Sequence, residues 1–559
     1  MKKHLKKVAL VAAALAMLSF AAACTQTDEG GAATPTTQAQ NAQTTTTAAE
    51  PEFIGPPDLS FPIVHGDRLE LSYFVLMGGA AASTMSNYNE IEFFQYLEEK
   101  TNIRINWIHP TGGAEQFSLM VASRDLPDII NWQFNTFPGG PTALLEDGII
   151  IPLDEDLMRR YAPNYMAIMD NNPTQFFGES VLDCGTIFQF LAFNYDPFNN
   201  DIVSFRILGP YIRQDWLDTV GLPQPATVSE LETVLTAFRD SSDIAAAHGD
   251  ITPFVIGRNL EGLRVMAGLF GTRNSAHMGP NGNIVFGPIT ENFRTYLTYM
   301  SRWYAEGLIN SDFPVLPEIH SAMLNSSAGF TIGSMGSGLT MTRLALQDMN
   351  PDYNLVSIAY PFGPYGHRAF INDAGGNPRA TAISSSNQHV IETLRWLDYA
   401  YSPGGSITST FGIEGVSFNW VDGFPTLSDY VMNNPHGFNQ EEAIARFAVG
   451  PFNYPNARDV RFYEQVNLVE DWQIDIQNNW DTATTEIMLP PLRMTVEEAR
   501  RFSNIMTDIT THTEEMMIRF IIGAEPMSEF DNFVNQIQRM GIDDALAIQE
   551  QALERFRAR

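Results

Sequence analysis

An α/β fold divided into two lobes is the class that this 559-residue sequence predicts, on three observations. Strand-like alternation and amphipathic helical spacing succeed one another through residues 69 to 130, the order of a sheet covered by helices. About five hundred residues remain after an apolar leader and a polar tether, more than one hydrophobic core usually organises. No internal repeat is visible, so a solenoid or propeller does not explain the length.

The leader comes first. Lys2, Lys3, Lys6 and Lys7 precede an apolar run from Val8 to Ala23, the layout of a secretory signal over residues 1–23. Cys24 follows Ala21-Ala22-Ala23. Thr25 to Glu50 are mostly Thr, Gln, Ala and Gly, which bury too little surface to fold, so residues 24–57 read as a disordered tether. No second run of about twenty apolar residues follows, which excludes a polytopic membrane protein. Apart from Cys24 the only cysteine is Cys184, so the mature chain has no pair for an internal disulfide and no cysteine-based metal site. The formal charge of -32 includes the leader's lysines, so the mature chain is more acidic still. That balance argues against nucleic-acid partners and against docking on anionic lipid through a basic surface.

Along the body, Leu69, Leu71, Tyr73 and Val75 alternate with Glu70, Ser72 and Phe74 as a first strand. Asn87 caps a helix, with Glu90 three residues on and Ile91, Phe94 and Leu97 on one face. Ile103, Ile105 and Trp107 form a second strand, Gln116 to Ser123 a helix, and Leu126 to Ile130 a third strand. Trp132 follows in a loop with Gln133, Phe134 and Asn135, where packing alone does not require tryptophan. Ile212 to Val220 is a short helix stopped by Gly221 and Pro223, and Thr227-Val-Ser-Glu230 is a capping box. The helix it starts repeats apolar residues at Val228, Leu231, Leu235 and Phe238.

The sequence carries none of the common catalytic motifs. There is no His-Glu-x-x-His, no Gly-x-Ser-x-Gly and no phosphate-binding loop; Gly333-Ser-Met-Gly-Ser-Gly338 lacks the lysine and reads as a flexible turn. Asp240 to Phe254 does not offer oxygen ligands at alternate positions, so no calcium site is expected there, and neither metal nor cofactor is predicted. With 65 acidic residues, a carboxylate pair of the glycosidase kind arises by chance and carries no signal.

Several blocks resemble one family. Arg213-Gln-Asp-Trp-Leu-Asp, then Gly221-Leu-Pro and Thr227-Val-Ser-Glu-Leu231, closely resemble the segment by which large extracytoplasmic solute-binding lipoproteins of ABC importers enter their second lobe. Thr101 to Trp107 and Met120 to Ile130 resemble first-lobe elements, with Asn102 and Arg124 where glycines are usual. Trp303 to Ile309, Ala328 to Gly333, Trp396 to Ser402, Phe411 to Trp420 and Arg519 to Gly523 follow in the family's order, so the likeness covers about residues 68 to 559. Ala21 to Cys24 resembles a lipobox, with Ala21 where leucine is usual, and implies lipid on Cys24.

The resemblance implies a type 2 periplasmic-binding-protein fold, two lobes with a hinge and a ligand cleft between them. The expected boundaries are 58–200 for the first lobe, 201–367 for the second, 368–425 for completion of the first and 426–559 for a helical completion of the second. It implies a monomeric receptor on the extracytoplasmic face of the cell membrane, carrying a solute to an ABC permease and performing no catalysis. An oligosaccharide is the expected solute, with peptide or other solutes open. A secreted carbohydrate-active enzyme and a receptor feeding a sensor kinase are the alternatives. Expected ligand contacts are Trp132, Asn135, Arg213, Trp216, Glu414, Trp420 and Asn87, with Trp216 equally readable as core and Arg213 equally readable as the partner of Asp215. Trp303 and Trp396 are expected in the core.

Overall fold

A computed structural model describes residues 60–559, except 183–184, 258–259, 317–318, 320–322, 369–378, 450–453 and 559. The leader, the tether, Cys24 and Cys184 lie outside the described residues.

The strands, in chain order, are β1 (Leu69–Phe74), β2 (Ile103–Ile108), β3 (Ile129–Trp132), β4 (Phe193–Asp196), β5 (Asp201–Val203), β6 (Leu208–Arg213), β7 (Thr252–Phe254), β8 (Ala276–Met278), β9 (Ile284–Phe286), β10 (Ala328–Ser334), β11 (Leu355–Ser357), β12 (Ala380–Ile383), β13 (Phe418–Val421), β14 (Phe424–Leu427) and β15 (Ala457–Asp459). The first-lobe sheet has the order β12-β3-β1-β2. β1 runs parallel to both neighbours, whereas β12 runs antiparallel to β3. The register sets Tyr73 opposite Trp107, and their rings stack at 5.0 Å. β2 alternates buried and exposed residues along its length, as an edge strand covered on one face should. All four residues of β3 are buried, because helices cover both faces of the sheet's centre. Two hydrogen bonds fasten β12 from far along the chain: Tyr73 Oη lies 2.6 Å from Thr381 Oγ1, and Asn131 Nδ2 donates to Thr381 Oγ1 at 3.0 Å.

The second-lobe sheet has the order β11-β6-β10-β7. Against it packs the helix Val228–Asp240, whose Val228, Leu231, Leu235 and Phe238 are all buried. Its start is the expected capping box: Thr227 Oγ1 accepts from the Glu230 amide, and Glu230 returns the bond to the Thr227 amide. The preceding helix is shorter than its sequence pattern implied. It spans Gln214–Val220, and Ile212 and Arg213 instead end β6, held by ladder bonds to β10 and β11 that outweigh local propensity. Gly333 likewise belongs to β10, and Met335–Thr340 wind as a π-helix, so the expected flexible turn is regular structure. Trp303 and Trp396 are fully buried.

Two large apolar clusters form the lobe cores. One gathers residues from Ile63 to Ile202, from Ala380 to Tyr401 and from Ala445 to Ala457; the other runs from Tyr211 to Tyr360 and from Tyr463 to Ala545. Residues 445–457 therefore pack on the first core, and β15 pairs in parallel with β4, so the first lobe extends past the expected limit of residue 425. No helix among the described residues is long and apolar enough to cross a membrane.

Candidate functional site

Where the chain leaves β3 at Trp132 it turns sharply. A 3-10 turn, Phe134–Thr136, buries Phe134 and leaves Gln133, Asn135 and Phe137 lining a cavity of about 970 Å³. This is the carboxyl end of a parallel strand, where α/β sheets offer backbone groups and loops to ligands. Gly139 ends the turn at φ 85°, and a Cβ there would stand 2.7 Å from Ala143 Cβ, so the tight entry into the helix Gly140–Glu146 requires glycine.

The opposite wall belongs to the chain that precedes the long helix Val496–Ile521, and to that helix itself. Thr495 and Glu498 form its capping box. One face buries Ile509, Met517, Phe520 and Ile521 in the second core, which orients another face, with Phe502, Ser503, Met506, Thr507 and Thr510, toward the cavity. The Thr507 and Thr511 hydroxyls donate back to the carbonyls of Ser503 and Thr507, so their free lone pairs accept.

Arg493 joins the two walls. Nη2 donates to the carbonyls of Gly178 and Glu179 at 2.5 and 2.6 Å, and Nη1 donates to Asn135 Oδ1 at 3.2 Å. The residue is 7% exposed, and its Nε has no partner. Burial pushes the guanidinium down to about 10, while the Glu179 charge opposes the shift, so it stays cationic at neutral pH. Arg555 steadies it by donating to the Arg493 carbonyl at 3.0 Å while pairing with Glu498 at 2.6 Å. Contact is close at this crossing, since a Cβ on Gly178 would meet Pro491 Cγ at 2.5 Å.

Glu179 also lines the cavity, and its own carbonyl accepts from Gln189 Nε2 at 2.8 Å. Its carboxylate has no hydrogen bond or ion pair among the described residues. Burial raises its pKa, and the Arg493 charge only partly offsets that.

Of the residues expected at the ligand, Asn135 stands in the cavity. Trp132 does not lie in a loop. It ends β3, is 8% exposed and stacks on Phe117 with centroids 4.7 Å apart, so it belongs to the core. Arg213 is 0% exposed: it chelates Asp215, donates to Ser326, and sits between the rings of Trp216 and Tyr353 at 4.7 and 4.2 Å. Its ligand is the protein itself, and Trp216 is core beside it. Glu414 and Trp420 are exposed at the β13–β14 hairpin, and Asn87 is engaged in its capping box on the turn Tyr88–Glu90; none of the three lines the cavity. Glu179, Gln189 and Arg493 escaped the sequence reading. One signal was available: hydroxyl residues at 503, 507, 510 and 511 recur at helical spacing where a wholly buried face would be apolar.

No family model matches the chain. Among curated proteins it is similar to the fructooligosaccharide ABC transporter substrate-binding protein FusA of Streptococcus pneumoniae serotype 4, with 22% identity over 543 residues, 92% of this chain and 94% of the relative. Lipoprotein LipO of Bacillus subtilis is 24% identical over 348 residues, 59% of this chain and 65% of that one. Among solved structures, the alginate-binding protein AlgQ2 without calcium superposes with a TM-score of 0.72 at 22% identity, covering 88% of this chain and 99% of that one. The fold is that of the two-lobed solute-binding proteins.

Proposed function

We propose that this protein is an extracytoplasmic receptor that captures an oligosaccharide in the cavity between its lobes and delivers it to an ABC permease, without transforming it. The observation that carries the reading is the composition of the cavity: Gln133, Asn135 and Gln189 offer planar amides, helix hydroxyls face them, and Phe137 and Phe502 offer rings. Sugars present hydroxyls to the first two and C–H faces to the last. The relation to FusA supports a glycan solute, and the relation to LipO supports lipid on Cys24 as the tie to the membrane. Closure of the lobes supplies the signal a permease could read, because a solute touching both walls binds the closed form better than the open one.

Calorimetric titration with neutral and acidic oligosaccharides, and with peptides as a control, tests this when followed by small-angle scattering. The expected result is saturable binding of a glycan, a smaller radius of gyration when bound, and no product by chromatography after prolonged incubation. Turnover would instead make the protein an enzyme, and binding of peptides alone would replace the solute class. In cells, Cys24→Ser is expected to release the protein into the medium; retention would remove the lipid anchor from the reading.

A further inference from the structure

Among the described residues, Glu179 and Arg493 are the only ionisable ones that line the cavity, and they are spent differently. Both hydrogens of Arg493 Nη2 go to main-chain carbonyls, a hydrogen of Nη1 goes to Asn135, and Nε is closed off from solvent. The one positive charge therefore serves to hold the walls together. The one negative charge has no hydrogen bond or ion pair among the described residues, feels Arg493 only at longer range, and lines the space a ligand would fill. On the helix wall of the same cavity, the hydroxyls of Thr507 and Thr511 have given their protons to the helix backbone and are left as acceptors. Together with the amides of Gln133 and Asn135, these acceptors suit a ligand that both gives and takes hydrogen bonds, which describes sugar hydroxyls. A uronate would bring a further acceptor-only group and a second negative charge into a half-buried site, where like charges are poorly screened.

Length follows from the helix. The face from Ala499 to Thr511 lines the cavity throughout and, at the rise of an α-helix, extends about 18 Å. A single sugar ring would leave most of that wall uncovered.

We infer that the cavity selects an uncharged, linear oligosaccharide of three or more units, and that Glu179 is the residue that accepts its hydroxyls and turns acidic sugars away. This rests on the glycan reading above.

The test compares neutral monosaccharides, trisaccharides and hexasaccharides of the fructan, maltose and galactose series with galacturonate and oligogalacturonates of the same lengths, by calorimetry on wild type and Glu179→Gln. Wild type is expected to bind a neutral series at least about tenfold more tightly than the uronates, and its hexasaccharide or trisaccharide more tightly than the monosaccharide. Glu179→Gln is expected to lose some affinity for the neutral ligand, because a charged acceptor becomes a neutral one, and to gain affinity for the uronate, so that the preference narrows by roughly tenfold or more. Uronates that bind wild type as well as neutral sugars do would overturn the charge selection while leaving the glycan receptor standing. A wild type that binds no member of the panel would remove the glycan reading and this inference with it. A preference unchanged in Glu179→Gln would overturn the assignment to Glu179, and should that variant fail to fold, Glu179→Ala takes its place in the same comparison.

Discussion

The guanidinium of Arg493 donates to the main-chain oxygen of Glu179 at 2.6 Å, and through this bond the segment that launches the second lobe's longest helix is fixed to the first lobe. The same arginine reaches Gly178 and Asn135, so one side chain satisfies three acceptors on two separate first-lobe segments. Planar, always-charged guanidinium suits this task as a point-like ammonium does not.

Removing that link should be costly. Arg493→Ala leaves two carbonyls and an amide oxygen without a charged donor, and the expected loss is about 2–4 kcal/mol of unfolding free energy in urea. Arg493→Lys should recover only part of it. A midpoint equal to wild type in either variant would mean that water replaces the donors without penalty.

Glu179 should make stability fall with pH. Burial raises its pKa above the ordinary 4.5, so the folded chain binds this proton more tightly than the unfolded one. Its contribution is therefore fully present below the ordinary value and is lost as pH rises through the raised one. Glu179→Gln never ionises, so it should melt higher than wild type at pH 7 and lose the advantage near pH 4. A difference that grows toward acid would reverse the sign and place the carboxylate in a favourable pairing.

Trp132 should behave as core. It stacks on Phe117 and lies 6.2 Å from Phe74, so Trp132→Ala is expected to cost about 3–5 kcal/mol, with Trp132→Phe milder. An unchanged melting temperature combined with lost glycan affinity would return the residue to the ligand.

Local grammar was readable in the sequence wherever neighbours a few positions apart decide the structure. The Thr227–Glu230 cap, the buried face behind it and the alternation of β2 needed nothing distant. Trp132 was misplaced because a strand buried on both faces shows no alternation, so its end cannot be read from periodicity. Arg213 looked helical because the residues after it are, while the ladder that claims it comes from β11, far along the chain. Arg493 carried no local mark at all. Its partners lie more than three hundred positions earlier, and only the folded crossing brings them within reach.

The seam at Thr381 has a consequence for how the protein is made. Tyr73 meets Thr381 across 308 positions, and β15 must arrive before β4 has its parallel neighbour. A chain emerging amino end first thus carries the open edge of β3 through the synthesis of the second lobe's first stretch, Tyr211 to Tyr360, exposing unpaired amides and carbonyls to any strand nearby. The early lobe is not an autonomous folding unit that waits for its companion. It is sealed only after part of its companion has been made, and a holding factor during export would find its substrate in that unfinished edge.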